Sequence, residues 1–377
     1  MRADDGRYGD AAAVDAAVAD HELVPDGAPA ADSEDRSARD RWWWVVALLL
    51  LLALFGCLIA QALFPTARDT TGKTPLKGLT PVFSIYGLTK PLGVAAGPDG
   101  EIAVADTGVA KVFLYDESGT MQARLGGELP DSKVFGVDGL MFHGDHVYVA
   151  DWIMRRVWVF NRDGTVFDYF PKDPMAAEFG DEGFAPYDVE VFEGDILTTT
   201  KGAVFRFDGS TFALEGRFDQ EEPLGIALSF TNGLAAAPDG SAVYVCDTLN
   251  RRLVAFAPDG SVLWTLGKPD VDAEIVSFFA LPRGVVVTER GVLVSDTFRH
   301  ELYLLDAEGS LLGRYGSRGV VDGQLNFPEG IDVAPDGLLY LADRENDRVQ
   351  VLRLEEPLDA DAALERKWRD SYVRVAD

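Results

Sequence analysis

Five aspartates recur at near-even intervals, each closing an apolar run: Asp106 in "IAVAD", Asp151 in "VYVAD", Asp247 in "VYVCD", Asp296 in "VLVSD" and Asp343 in "LYLAD". A buried carboxylate serves as a general base, a metal ligand or a cap for backbone N–H groups. Thr200 takes the same place in a sixth run, and successive spacings are 45, 49, 47, 49 and 47 residues. Five residues past four of the aspartates stand Lys111, Arg156, Arg252 and Arg348; Glu301 breaks the series. A reacting group is needed once per site, whereas a cap is needed once per repeat. The repeated carboxylates are therefore read as loop caps facing a cation across a short loop.

Other chemistry is thinly supplied. Four histidines and two cysteines leave little material for metal or thiol sites. Cys57 lies in an apolar run and Cys246 stands alone, so no disulfide framework or zinc-finger spacing arises. His143 and His146 flank one turn in "HGDH", and His300 belongs to another repeat. No G-x-S-x-G nucleophile elbow is present. The formal charge of −28 opposes nucleic-acid binding, which needs clustered lysine and arginine, and favours a cationic electrostatic partner.

The elements that position these groups are strands. Each repeat opens with a glycine-led apolar run such as "GLAAAPDG", where the "PDG" makes a tight turn. A second run ends at the aspartate, a third follows the loop ("RVWVF"), and a fourth follows another turn ("VLWTLG"). Repeats of this length point to a closed ring of four-stranded units. The last repeat ends after its third run, at "VQVLRL", while an orphan strand, "VFSIYG" (82–87), precedes the first. Pairing that strand beside Val349–Leu354 closes the ring and hides its edges. The expected fold is all-β: a six-bladed β-propeller over 81–354, closed by an N-terminal strand.

The units resemble NHL repeats, which read roughly G-x-x-V/I-x-x-x-x-G-x-L/V-Y-V-A-D-x-x-N-x-R-V-x-V-F. The last unit carries the resemblance through Gly330, Gly337, Tyr340, Ala342, Asp343, Asn346, Arg348, Val349 and Val351. The fourth follows with Asp247, Asn250, Arg252 and Leu253. The third departs most, with Thr200 for aspartate and a loop two residues shorter. The resemblance implies a rigid platform for a protein or polymer partner.

In such a ring the residue before each glycine-like position faces the mouth of the central channel. These are Leu92, Asp138, Tyr187, Asn232, Arg283 and Glu329, and they differ from blade to blade. Scaffold positions repeat, whereas a ligand site needs asymmetry, so Asp138, Tyr187, Asn232, Arg283 and Glu329 are the candidate ligand-binding set. No catalytic residue and no metal ligand is assigned.

The stretch "FTNGLAAAPDGSAVYVCDT" (230–248) also resembles, more weakly, the SMP-30/gluconolactonase propellers. That resemblance implies a divalent cation held by Glu, Asn and Asp at the mouth, and makes metal-dependent lactone or ester hydrolysis the alternative function. Asn232 matches the asparagine, but Arg283 and Leu92 fall where the carboxylates belong. The peptidylglycine amidating lyases, NHL-like propellers using zinc and several histidines, are matched less well by His143, His146 and His300.

Outside the repeats, residues 1–41 hold eleven acidic and five basic residues and read as a disordered acidic tail. Trp42–Phe64 is an uncharged run of 23 residues, about 35 Å as a helix, and is expected to span the membrane as an uncleaved single-pass anchor. Residues 65–80 read as a polar linker. The flanking charges nearly tie; a short tail before a large domain favours a cytoplasmic tail and an extracytoplasmic propeller. Two irregular segments remain, the loop 171–188 and the extension 355–377. In the latter, Leu364, Trp368 and Tyr372 form a helical stripe expected to pack on the propeller.

Overall fold

The computed structural model describes residues 66–69, 77–127, 132–218, 227–267 and 277–374. The acidic tail over 1–41 and the apolar run Trp42–Phe64 lie outside the described residues. Among the described residues no helix is long and apolar enough to cross a membrane.

Six antiparallel sheets follow one another, each counted as a blade from its channel-side strand outward. Blade 1 spans 91–125, blade 2 137–170, blade 3 188–218, blade 4 231–266, blade 5 282–315 and blade 6 328–354. Blade 6 is completed by Leu79–Tyr86, which pairs with Arg348–Leu354 in the register Ile85↔Val349. The orphan N-terminal strand thus closes the ring as its sequence demanded.

Six hydrophobic clusters hold the blades, one at each blade-to-blade interface. The period-2 geometry of the strands explains how. In "VYVCD", Val243 and Val245 pack towards blade 3, whereas Tyr244 and Cys246 pack towards blade 5. Each second strand is therefore buried on both faces and reads as a continuous apolar run.

The chain ends add strands on the outside. Thr66–Asp69, inside the segment read as a linker, extends blade 6 by pairing with Leu79–Tyr86. At the other end a helix over Ala362–Ser371 is capped by Asp361, which accepts from the N–H groups of Ala363 and Leu364. Leu364, Trp368 and Tyr372 pack on the cluster between blades 4 and 5, as the helical stripe anticipated. The chain then turns, and Tyr372–Arg374 adds a fifth strand to blade 4.

The strand directions give the ring two unlike faces. The "PDG" turns and the turns before the outer strands lie on one, here the lower face. Their aspartates accept from backbone N–H groups two residues on, as Asp116 does from Ser118, Asp239 from Ser241 and Asp259 from Ser261. Part of the large negative charge is thus turn-making. The aspartate loops and the blade-to-blade connections form the upper face.

Candidate functional site at the channel mouth

The repeated aspartates end their strands beneath the upper face and are nearly inaccessible. Each accepts N–H groups of the connection entering its own blade. Asp151 receives Phe135 and Gly136 at 2.9 Å, and Met154 of its own loop at 3.0 Å; Asp296 receives Ala280 and Leu281 at 2.7 and 3.0 Å, and Asp106 receives Thr89 at 2.8 Å. The fourth residue past each one, Ala110, Arg155, Arg251, His300 or Asp347, is left-handed at φ 51–57° and turns the loop back. Burial raises the carboxyls of Asp247, Asp296 and Asp343, and pushes Asp106 up to about 7.

The expected cation partner is less uniform than the cap. Arg252 Nε meets Asp247 at 2.6 Å, and Arg348 Nε meets Asp343 at 2.8 Å; all four side chains are buried. In blade 2, Arg156 instead lies over the rings of Trp158 and Tyr169, and Trp158 donates to Asp151. Lys111 stands opposite Asp106 in the ladder. In blade 5, Arg299 supplies the charge to Asp296 at 3.4 Å, while Glu301 turns to Arg314. The sequence spacing fixes the strand register, but an aromatic neighbour diverts the cation.

All six mouth positions converge. Leu92, Asp138, Tyr187, Asn232, Arg283 and Glu329 line the top of the central channel. Arg283 is its hub: Nε meets Glu329 at 2.7 Å, and Nη2 reaches Asp138 of the facing blade at 3.7 Å. Arg344, just past the blade 6 aspartate, holds the other Glu329 oxygen at 3.2 Å. Burial pushes the Asp138 carboxyl up to about 7, opposed by Arg283 and helped by Glu329. Asn232 is 5% exposed, and neither its Nδ2 nor its Oδ1 has a hydrogen-bond partner. An orphaned buried amide of this kind is rare, and it faces a site.

One wall of the mouth is aromatic. Trp152 stacks near Tyr187 with centroids 6.4 Å apart, and Tyr187 lies 4.6 Å from Phe230. With Lys90, Leu92, Thr107, Asp138, Arg283 and Arg344 they enclose a recess of about 440 Å³. Sequence reasoning found the polar ring because those residues precede repeated glycines. It missed Trp152, at a variable position just past a repeated aspartate, and Phe230, in a blade-to-blade connection.

The glycines explain why the ring is narrow. Gly93, Gly139, Gly233, Gly284 and Gly330 follow five of the mouth residues, each where a Cβ would strike the neighbouring blade. At Gly284 it would come within 2.6 Å of the Glu329 carbonyl oxygen. Blade 3 departs: Asp188 occupies the glycine position. Its paired strand starts only at Asp188, whereas the other five begin a bridge earlier and bulge across the mouth residue. The Asp188 carboxylate crosses to blade 4 and accepts the Leu234 N–H at 2.9 Å.

The lower end of the channel is acidic. Glu190 and Asp332 face it, burial pushing them up to about 8 and about 6. Asp332 accepts the Ala96 N–H at 2.8 Å, and Glu190 accepts that of Val191 at 2.9 Å. These carboxylates serve inner-strand N–H groups that face the channel.

The mouth does not fit a divalent cation. Arg283 and Leu92 occupy positions where carboxylate oxygens are needed, and Glu329 is bound by two guanidinium groups. Among the described residues the histidines are also apart. His143 and His146 flank a lower-face turn. His300 lies in an upper loop, with Nδ1 accepting the Phe327 N–H.

The loop 171–188 is pinned rather than loose. Phe184 is buried and Phe179 half-buried in the cluster between blades 2 and 3. Its outer part, Met175 and Glu182, borders a groove with Trp152, Ile153 and Lys201.

Comparison with known proteins agrees with this architecture. Residues 325–352 match the NHL repeat family. A gluconolactonase from Xanthomonas campestris is 16% identical with a TM-score of 0.55, covering 77% of this chain and 95% of its own. Virginiamycin B lyase from Staphylococcus aureus is 13% identical with a TM-score of 0.50, covering 77% of this chain and 94% of its own. At such identities the likeness is one of fold.

Proposed function

We propose that this chain, an NHL-repeat six-bladed β-propeller, is a membrane-anchored binding platform that uses its upper face. The carrying observation is the asymmetric mouth, where an orphaned buried asparagine lines the channel with a neutralised charge cluster and an aromatic-walled recess adjoins it through Leu92, Asp138, Tyr187 and Arg283. Scaffold residues repeat around the ring, and these do not. Trp152, Ile153, Leu249 and Phe298 are exposed on the same face, an apolar collar suited to a protein or polymer partner.

Anchoring rests on the uncharged run Trp42–Phe64, and the propeller is placed outside the membrane. Hydrolysis is the less favoured reading, because Arg283 and Leu92 stand where carboxylate ligands to a metal would be needed. No nucleic-acid role fits the acidic charge.

A photo-crosslinking residue at Ile153, on the upper face, is expected to capture a discrete partner in intact cells. The same residue at Asp259, on the lower face, is expected not to. Equal capture from both faces refutes the assignment of the upper face. Protection of the propeller from protease added to intact cells refutes the outside placement.

A further inference from the structure

We propose that the mouth recognises an uncharged amide lying beside an apolar group, with Asn232 as the reading residue. This rests on the platform reading above and names its chemistry.

The Asn232 backbone carbonyl is taken by Thr199 Oγ1 at 2.8 Å, yet neither its side-chain Nδ2 nor its Oδ1 has a partner. Leaving both buried and unmet is costly, and a complementary ligand recovers that cost. Nδ2 donates to a ligand carbonyl, and Oδ1 accepts a ligand N–H. A primary carboxamide presents both on one edge, and so does one residue of an extended peptide.

The charged groups of the mouth are already paired: Arg283 with Glu329 and Asp138, Arg344 with Glu329, and Lys90 with Glu345 at 3.0 Å. An ionic ligand has to compete with these pairs, whereas an uncharged one does not. Asn232 lines the narrow channel, which shares Leu92, Asp138, Tyr187 and Arg283 with the adjoining recess; the recess adds the apolar Trp152 and Phe230. Phe230 holds its place with φ at 57°, a left-handed setting that a phenylalanine rarely adopts. A polyol meets the asparagine but not this wall, whereas an amide carrying an aromatic or aliphatic group meets both.

The test is isothermal titration of the full-length chain in detergent with four probes. These are 3-phenylpropanamide, its ester analogue methyl 3-phenylpropanoate, the capped peptide acetyl-Gly-Phe-Gly-amide, and methyl β-glucoside. The amide is expected to bind roughly tenfold or more tighter than the ester, which cannot donate to Oδ1. Asn232→Leu is expected to erase that gap with its melting temperature unchanged. A tighter peptide than small amide identifies a peptide segment as the source, and the reverse identifies a small carboxamide. Equal binding of amide and ester, or Asn232-dependent binding of the glucoside alone, overturns the amide assignment and keeps the mouth as a site. No binding by any probe also overturns it, and the Ile153 crosslink then decides the platform reading separately. If Asn232→Leu fails to fold, the wild-type ratio of amide to ester decides alone.

Discussion

Blades 6 and 3 do the same structural job by opposite means. Blade 6 invests in its upper loop: Asp343 accepts from Asn326, Asn346, Arg348 and Gln350. Arg348 continues to Asp322 at 2.7 Å, and Asp322 also accepts from Tyr86 of the closing strand. The network therefore locks the ring shut where its two ends meet. Blade 3 has no such loop. Thr200 merely closes a tight turn on Ala203, and the blade spends its carboxylate on the channel instead, through Asp188. Blade 6 thus holds its neighbours through its upper loop, and blade 3 through its channel strand.

The sharpest way to break this contrast is at the lock. Asp343→Ala strands the buried Arg348 with Asp322 as its one remaining carboxylate. It should lower stability by about 3–5 kcal/mol, the range for breaking a buried pair from one side. A thermal melt checks this, and an unchanged melting temperature refutes the structural role of the aspartate. The glycine ring comes next. Gly284→Ala forces a Cβ against the Glu329 carbonyl and should cost about 1–3 kcal/mol by overpacking. Urea unfolding measures that loss, and an unchanged midpoint removes the steric explanation. The smallest effect is expected from restoring the motif residue alone. Thr200→Asp should lower stability by about 1 kcal/mol, because Thr200 is buried and the shortened loop supplies no left-handed residue or arginine to meet a carboxylate. A clear gain in the melt would show that aspartate suffices without its loop.

Much of this was readable from residues. The aspartate period, the incomplete last repeat and the orphan strand 82–87 together require a ring of six blades closed by the N-terminal strand. The five glycines mark the mouth residues because each sits where strands crowd. The cation partners were legible only in part. Arg252 and Arg348 meet their aspartates, but Arg156 finds two aromatic rings that belong to its own strand and the next. Spacing cannot weigh a carboxylate against a ring. The strands Thr66–Asp69 and Tyr372–Arg374 carried no repeat signature, since an added edge strand obeys whichever edge it meets.

The sequence by itself determined the number of blades, the closure and the list of residues at the mouth, because repetition and turn chemistry are local properties. Only the tertiary structure decided what those residues do together. Arg283 and Asp138 are 145 positions apart in the chain yet meet across the channel, as 283 − 138 shows. Tyr187 gains Trp152 and Phe230 from neighbouring loops, and the Asn232 side chain is left without a hydrogen-bond partner. Such relations arise only when the ring closes and brings six separate strand starts to one axis.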